Sequence, residues 1–432
     1  MCMKKQGKSK SRIHILHLLL CVFILSACAS NSTQHIEASK SDTGYDEFRE
    51  NSQVANNQET TRVQIITDFT NTDGSVQFNI NIDEEIYDGA MPIIEVVPST
   101  ITSEDMERVA KSLFGDVEFY DGGPEENQFI PCNWTLKPDS YYNESGASGD
   151  EWLLANVKID DMYGKFMVIV RDQGDYKLNR FNFQLGAVSL DTYLDRQIYW
   201  ANLCRTAEPT QEQIEAVQNN VMDMLKKMDL GDWHIAETEV IVIETGGEPE
   251  YLLQIKIVPE FNGIPAIYGQ RNITHSDNYT GAYTLTQATF LMSPNGDLID
   301  LELDSPVEIK SVVNENVVTL SVERLAERIM HQLSLCDVDT FTTSTWGITF
   351  EQVTEEVTER EEALVVRVNI SQMEYGLGRI MAKDTTDSYY YVPVMLLSGT
   401  VDVIGSESGE VYLSGYEKPL LCINAIDGSI IN

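Results

Sequence analysis

The sequence predicts an α+β fold made of tandem modules, each a single helix packed on an antiparallel β-sheet. Two observations carry this expectation. Amphipathic helix patterns begin at Ser103, Thr210 and Ser321, and a nearly constant spacing of roughly 110 residues is the mark of an internal repeat. Behind the last two, short stretches alternate apolar and polar residues and lead to Asn-Gly or Asp-Gly pairs. A period of two with such turns indicates half-buried strands.

The first elements are strands. Val63, Ile65, Thr67 and Phe69 alternate with mostly polar neighbours, and Val76, Phe78, Ile80 and Ile82 alternate with Gln77, Asn79 and Asn81. Asp73-Gly74 lies between them, and both residue types accept positive φ, so a hairpin is expected. Ile93 to Val97 reads as a further strand, ended by Pro98, which has no N–H to donate. Ser103 is expected to cap a helix with Met106, Val109, Ala110 and Leu113 on its inner face and Gly115 as its stop. Thr210 and Gln213, after Pro209, form a capping box. The stripe behind it is Ile214, Val217, Val221, Leu225 and Met228, and Gly231 is the expected end. Ser321 opens the third helix, with Val322, Leu325, Ala326, Ile329 and Leu333 inward. One apolar stripe per helix predicts packing on one face of a sheet.

The stretches behind the second and third helices resemble each other. Trp233 and Trp346 come soon after the helices. Leu253, Ile255 and Ile257 then alternate around Gln254 and Lys256, as Val366, Val368 and Ile370 do around Arg367 and Asn369. Ile264-Pro265-Ala266-Ile267-Tyr268-Gly269 mirrors Val392-Pro393-Val394-Met395. Each unit closes on a strand-turn-strand, around Asn295-Gly296 in one and Asp427-Gly428 in the other. The third unit carries an insert near Tyr375 to Ser388. The first unit is weaker, with strands at Trp152 to Ile159 and Phe166 to Val170 behind a polar stretch from Asp121 to Asp150. The expected modules span residues 62–205, 206–310 and 311–432.

Ahead of them, Lys4, Lys5, Lys8, Lys10 and Arg12 precede an apolar run from Ile13 to Leu25. Charge and then a short apolar run is the layout of a secretory signal, and the run falls short of the roughly 20 residues of a membrane span. It ends in Leu25-Ser26-Ala27-Cys28. These four residues resemble the lipobox of bacterial lipoproteins. The resemblance implies a signal peptide over 1–27, a lipid on Cys28, and a location at the extracytoplasmic face of the cell membrane. From Cys28 to Thr61 the chain is mostly Ser, Asn, Thr, Gln and Glu. Such a segment has too little apolar surface to offset its ordering entropy, and a flexible tether is expected.

The closing run Ile423-Asn424-Ala425-Ile426-Asp427-Gly428-Ser429-Ile430 resembles the final hairpin of the PepSY group and of YycI-type extracytoplasmic regulators. Together with the lipobox it is similar to uncharacterised lipoproteins of clostridial-type bacteria. The resemblance covers the last two units. YycI-type proteins keep an uncleaved helix where this chain has a lipobox, so their membrane role does not carry over. The family supplies no catalytic residues.

Composition narrows the function. The formal charge is −38, with acids spread along the chain. That repels nucleic acid, and no nucleic-acid partner is expected. Cys132, Cys204, Cys336 and Cys422 are far apart, with no C-x-x-C, so neither a redox dithiol nor a metal cluster is expected. His35, His234, His275 and His331 form no H-E-x-x-H. Gly405-Ser406-Glu407-Ser408-Gly409 has Glu407 where a nucleophile elbow has serine. Asp297, Asp300, Glu302 and Asp304 form an acidic ladder that reads as a solvated face, with calcium the alternative. No catalytic, cofactor or metal site is assigned. Tyr279, Tyr283, Tyr389, Tyr390 and Tyr391 are the candidates for a recognition surface, packing being the competing explanation.

The expectation is therefore a lipid-anchored, non-enzymatic binding or regulatory protein that recognises a protein, peptide or envelope component. A carboxylate-dependent extracytoplasmic hydrolase and a solute-capture lipoprotein serving a transporter stay open. A hydrolase requires convergent acids with displaced pKa values in a cleft. A solute receptor requires two lobes around one pocket. An interaction module needs only an exposed edge or patch.

Overall fold

The computed structural model describes residues 60–87, 90–121, 130–138, 141, 150–159, 162–171, 176–185, 207–243, 249–269, 282–336, 363–381, 388–415 and 418–431. All lie in the unit Asn51–Asn432. The expected signal peptide, Cys28, the tether up to residue 59, and Cys204, His275, Tyr279 and Trp346 lie outside the described residues. Among the described residues no helix is long and apolar enough to cross a membrane.

The fold is α+β and rich in strand, with three helices among the described residues: α1 (Ser103–Phe114), α2 (Gln211–Met228) and α3 (Val322–Leu335). The strands before α1 are β1 (Thr60–Thr70), β2 (Val76–Tyr87) and β3 (Met91–Pro98). Between α1 and α2 come β4 (Phe119–Asp121), β5 (Lys137–Pro138), β6 (Glu151–Ile159), β7 (Met162–Arg171) and β8 (Tyr176–Leu185). Between α2 and α3 lie β9 (Trp233–Ile243), β10 (Glu250–Phe261), β11 (Ile264–Pro265), β12 (Ala282–Tyr283), β13 (Gln287–Met292), β14 (Leu298–Asp304) and β15 (Val307–Val317). After α3 come β16 (Leu364–Met381), β17 (Tyr389–Gly405), β18 (Val411–Ser414), β19 (Lys418–Asn424) and β20 (Ile430–Ile431).

These strands make two sheets. One runs β1-β2-β16-β17-β19-β20, with β3 joining β17 to β15. The other runs β11-β10-β13-β14-β8-β7-β6-β4, with β9 beside β10. The opening hairpin forms as expected. Val63, Val76, Phe78, Ile80 and Ile82 are buried, and Gly74 takes φ 83° at the turn. However, β1, β2 and β3 do not lie in the sheet of the helix that comes next in the chain. β2 pairs in parallel with β16, Val76 opposite Val366 and Ile80 opposite Ile370. Alternation along a strand marks its apolar face, but does not say which distant strand will supply the hydrogen bonds.

The helix stripes are buried as the spacing predicts. Met106, Val109, Ala110 and Leu113 of α1 pack with Val217, Val221, Leu225 and Met228 of α2 on the second sheet, over Phe166, Phe181, Phe183 and Phe290. Burial of each such phenylalanine is worth about 1.5–3 kcal/mol. Leu325, Ile329 and Leu333 of α3 pack on the first sheet, over Phe78, Ile80, Val368 and Ile423. Two ends differ from expectation. The cap of α1 is Thr102, not Ser103: its hydroxyl accepts from the Asp105 N–H, and the Asp105 carboxylate accepts from the Thr102 N–H at 2.9 Å. Helix α2 ends at Asp229 in the left-handed region (φ 54°), two residues before Gly231. A short polar side chain tolerates that conformation.

The described part of the expected insert, up to Met381, is a strand extension. β16 and β17 stay paired out to Met381 and Tyr389, and the extension reaches the second sheet. Ile267 N–H donates to the Leu377 carbonyl at 2.9 Å. At Gly376 a Cβ would lie 3.0 Å from the Pro265 carbonyl oxygen, so the close approach requires glycine. Arg379 donates to the Thr284 carbonyl at 2.6 Å and lies 4.4 Å over the Tyr389 ring.

Candidate functional site

Tyr389 and Tyr391 do not belong to a recognition surface. Tyr389 and Tyr391 are buried, at 0 % and 2 % exposure, and Tyr391 packs against Phe261 with ring centroids 4.5 Å apart. The long hairpin explains the burial: it carries both rings into the junction between the sheets, together with Met91, Ile94, Val96, Val258 and Leu377. Tyr390 is half-buried on the opposite side of its strand. Nearby, Glu95 accepts from Lys310 and Ser388, both at 2.8 Å. Tyr283 contributes its backbone to β12, and Tyr279 lies outside the described residues.

In the acidic ladder Asp297 is exposed and Asp300 and Glu302 are half-buried, but Asp304 does not belong to a solvated face. Asp304 is buried, and both its oxygens accept from Arg180 of β8, at 2.6 and 2.9 Å. Arg180 also pairs with Glu302 at 2.8 Å. Burial pushes the Asp304 carboxyl above its ordinary value, against the pull of Arg180. Arg180 thus serves both Glu302 and Asp304, and among the described residues no cluster of His, Cys, Asp or Glu is placed to hold a metal ion.

A cleft of about 460 Å³ lies beside the two helices of the second sheet. Four stretches of chain line it. Ser99 to Ile101 lead into α1, which adds Asp105 and Arg108. The turn after α2 contributes Asp229 to Trp233. The end of β10 contributes Pro259, Glu260 and Phe261, and the β14–β15 link contributes Pro306 to Ile309, with Thr286 nearby. That volume falls within the ordinary range for small-molecule and side-chain pockets.

Local sequence fixes each wall. Gly231 takes φ 107°, a conformation that costs glycine little, and the turn brings Trp233 to the start of β9. The Glu260 N–H donates to the Asp232 carbonyl at 2.8 Å, holding the turn against β10. Arg108 donates to the Met228 carbonyl at 2.8 Å and to Asp105 at 2.5 Å, tying the end of α2 to the start of α1. Ser99 N–H donates to the Pro306 carbonyl, and Asn179 donates to the Ser99 carbonyl, each at 2.8 Å.

The electrostatics are one-sided. Burial works against charge on Asp105, but hydrogen bonds from Thr102 and Arg108 outweigh it and hold its pKa below the usual range. Arg108 is thereby committed. Asp229, Asp232, Glu260 and Glu308 remain, with His234 Nδ1 3.4 Å from Glu260. Trp233 is 6 % exposed, and its indole N–H is buried with no hydrogen-bond partner. The carboxyls pushed upward lie outside this lining. They are Glu302, Asp304 and Glu374, the last raised to about 7 by desolvation although part of its side chain still meets solvent.

In the sequence Trp233 stands out only as a repeat marker, and Asp232, Glu260 and Glu308 do not stand out at all. The Asp-Leu-Gly-Asp-Trp run from Asp229 to Trp233 held the available signal: a turn glycine between acids, leading to an aromatic.

No family model matches the chain, and no curated protein matches it. Among solved structures, it is similar to an uncharacterized protein from Eubacterium rectale ATCC 33656. The likeness has 12 % identity and a TM-score of 0.43, over 82 % of this chain and 90 % of that one. A likeness so distant carries no functional argument.

Proposed function

We propose that this is a lipid-anchored extracytoplasmic binding protein, and that the cleft around Trp233 is where it holds a protein, peptide or envelope component. The observation that carries the reading is a cleft of about 460 Å³ whose wall gathers Asp229, Asp232, Glu260 and Glu308 from separate stretches of chain. Convergent acids are also what a carboxylate-dependent hydrolase uses. Such an enzyme needs a carboxyl of raised pKa in its cleft, whereas Glu302, Asp304 and Glu374, whose pKa values are raised, lie outside this lining, and Asp105 within it is shifted downward. The lipobox at Leu25 to Cys28 and the polar segment behind it support the anchor. Replacing Cys28 with Ala tests it: the protein is expected to leave the membrane fraction and lose incorporated lipid label. Unchanged fractionation with label retained would sink the anchor.

The repeated-module reading is part of the same proposal, along with kinship to PepSY-like lipoproteins. Its support is topological. α1 leads into strands whose sheet order, β4-β6-β7-β8, is their chain order. The strands after α2 do the same in β9-β10-β13-β14, and those after α3 in β16-β17-β19-β20. The first two series meet through their last strands, antiparallel, Leu301 opposite Phe183, as a two-fold-related pair would. Native-state hydrogen exchange checks the grouping. Amides of α1 and α2 should open together and those of α3 separately, whereas one common opening for all three would count against it.

A further inference from the structure

We propose that the outer edge of β1 pairs antiparallel with β1 of a second copy of this chain, joining two copies of the first sheet across a two-fold axis at Ile65. Among the described residues β1 is the end strand of that sheet, and no residue of the cleft lies on it. A strand edge presents a row of N–H and C=O groups to any passing strand, and proteins guard it with bulges, lysine or proline. The other long outer strands of the described residues are guarded in this way. β15 is bulged three times against β3 and carries Lys310. β9 is bulged against β10 and carries Glu237 and Glu239. By contrast, β1 matches β2 from Thr60 opposite Tyr87 to Thr70 opposite Gln77 without a bulge, and it holds no lysine, proline or glycine. It also leaves Ile66 67 % exposed.

The charges along β1 select a second copy as the occupant. Arg62 and Asp68 stand three positions either side of Ile65. An antiparallel copy centred on Ile65 therefore sets each Arg62 opposite the other copy's Asp68, twice by symmetry, and Ile66 opposite Gln64. This register also matches the faces. Val63 and Ile65, buried under α3, come to the same side in both copies, and the row of Arg62, Gln64, Ile66 and Asp68 to the other. Sliding the pairing by two residues loses both charge pairs. Arg62 also holds Asp83, at 2.6 and 2.8 Å, and stays 71 % exposed. One guanidinium has donors enough for two carboxylates, as Arg180 shows in the second sheet. The formal charge of −38 opposes association, but beyond about 8 Å that repulsion is screened in physiological salt, so the charges in contact decide.

The test is sedimentation equilibrium of the full chain in a density-matched detergent, from about 1 to about 200 µM, the range suited to so small an interface. A monomer–dimer equilibrium is expected within it. Arg62→Glu and Asp68→Arg each set like charges against one another twice, and each should weaken the dimer about tenfold. The double variant puts the opposite charges back in exchanged places and should restore the dimer. Ile66→Lys adds the guard that edge strands ordinarily carry and should leave the chain monomeric. An unchanged near-ultraviolet circular dichroism spectrum shows that the variants fold, and recovery in the double variant separates lost pairing from lost structure. A chain that stays monomeric at about 200 µM overturns the proposal. So does a dimer that the single reversals leave intact, because its contact lies elsewhere. Weakening by both single variants without recovery in the double overturns the Ile65-centred pairing. None of these results touches the cleft reading, since the cleft shares no residue with β1.

Discussion

Replacing Arg180 with Met removes the cation shared by Asp304 and Glu302. Asp304 keeps only 6 % of its side chain in solvent and loses two hydrogen bonds, at 2.6 and 2.9 Å. Breaking a buried ion pair by deleting one partner costs about 3–5 kcal/mol. Arg180 is 26 % exposed and Glu302 44 %, so solvent takes up part of the loss, and we expect about 3 kcal/mol at pH 7.5. With an m-value of about 3 kcal/mol/M in urea, the midpoint should fall by about 1 M. The pH dependence comes from the direction of the Asp304 shift. Burial already raises its pKa above 3.8 despite Arg180, and the variant raises it further. A carboxyl whose folded pKa is raised is least costly when protonated. The deficit is therefore full above the folded pKa and shrinks as pH falls toward the unfolded value. Urea titrations monitored by tryptophan fluorescence at pH 7.5 and pH 5 measure this. The double variant with Asp304→Asn should recover at least about 1 kcal/mol, since no buried charge is left unpaired. A midpoint shift under about 0.2 M, or one of equal size at both pH values, would refute the reasoning.

Two further outcomes are expected. Thr102→Ala removes the hydroxyl that accepts from the Asp105 N–H and should cost about 1 kcal/mol in urea stability. The folded pKa of Asp105 is lowered in part by Thr102, so this loss is present above the ordinary carboxylate range and fades as pH falls through the folded value; a loss that grows on acidification contradicts it. Cys132 and Cys422 are free thiols, and burial pushes Cys132 up to about 11 and Cys422 up to about 12. Because the thiolate is the reactive form, neither should react with Ellman's reagent at pH 8 until the chain unfolds. Prompt labelling of either in peptide maps would show that the native interior is open to solvent.

The elements were legible because their causes are local. A stripe at helical spacing marked α1, α2 and α3, and Thr210 with Gln213 formed the capping box the sequence indicated. The Asp73-Gly74 turn placed β1 against β2, Ile65 opposite Ile82. Helix packing on sheets was implied by the single stripe of each helix. The sequence also contained Leu25 to Cys28, a short motif read without any tertiary context.

Everything that depends on partners distant in the chain was settled by packing. Val366 finds Val76 across 290 positions of numbering, and no periodicity within either strand encodes that choice. Asp304 looks like one step of an acidic ladder until Arg180 arrives from β8. Tyr389 and Tyr391 look like a recognition patch until the β16–β17 hairpin turns them into the junction of the sheets. The cleft is the clearest case. Asp105, Trp233, Glu260 and Glu308 belong to four separate stretches of chain. Hydrogen bonding and desolvation act over a few ångströms in space, and only the folded chain sets those distances.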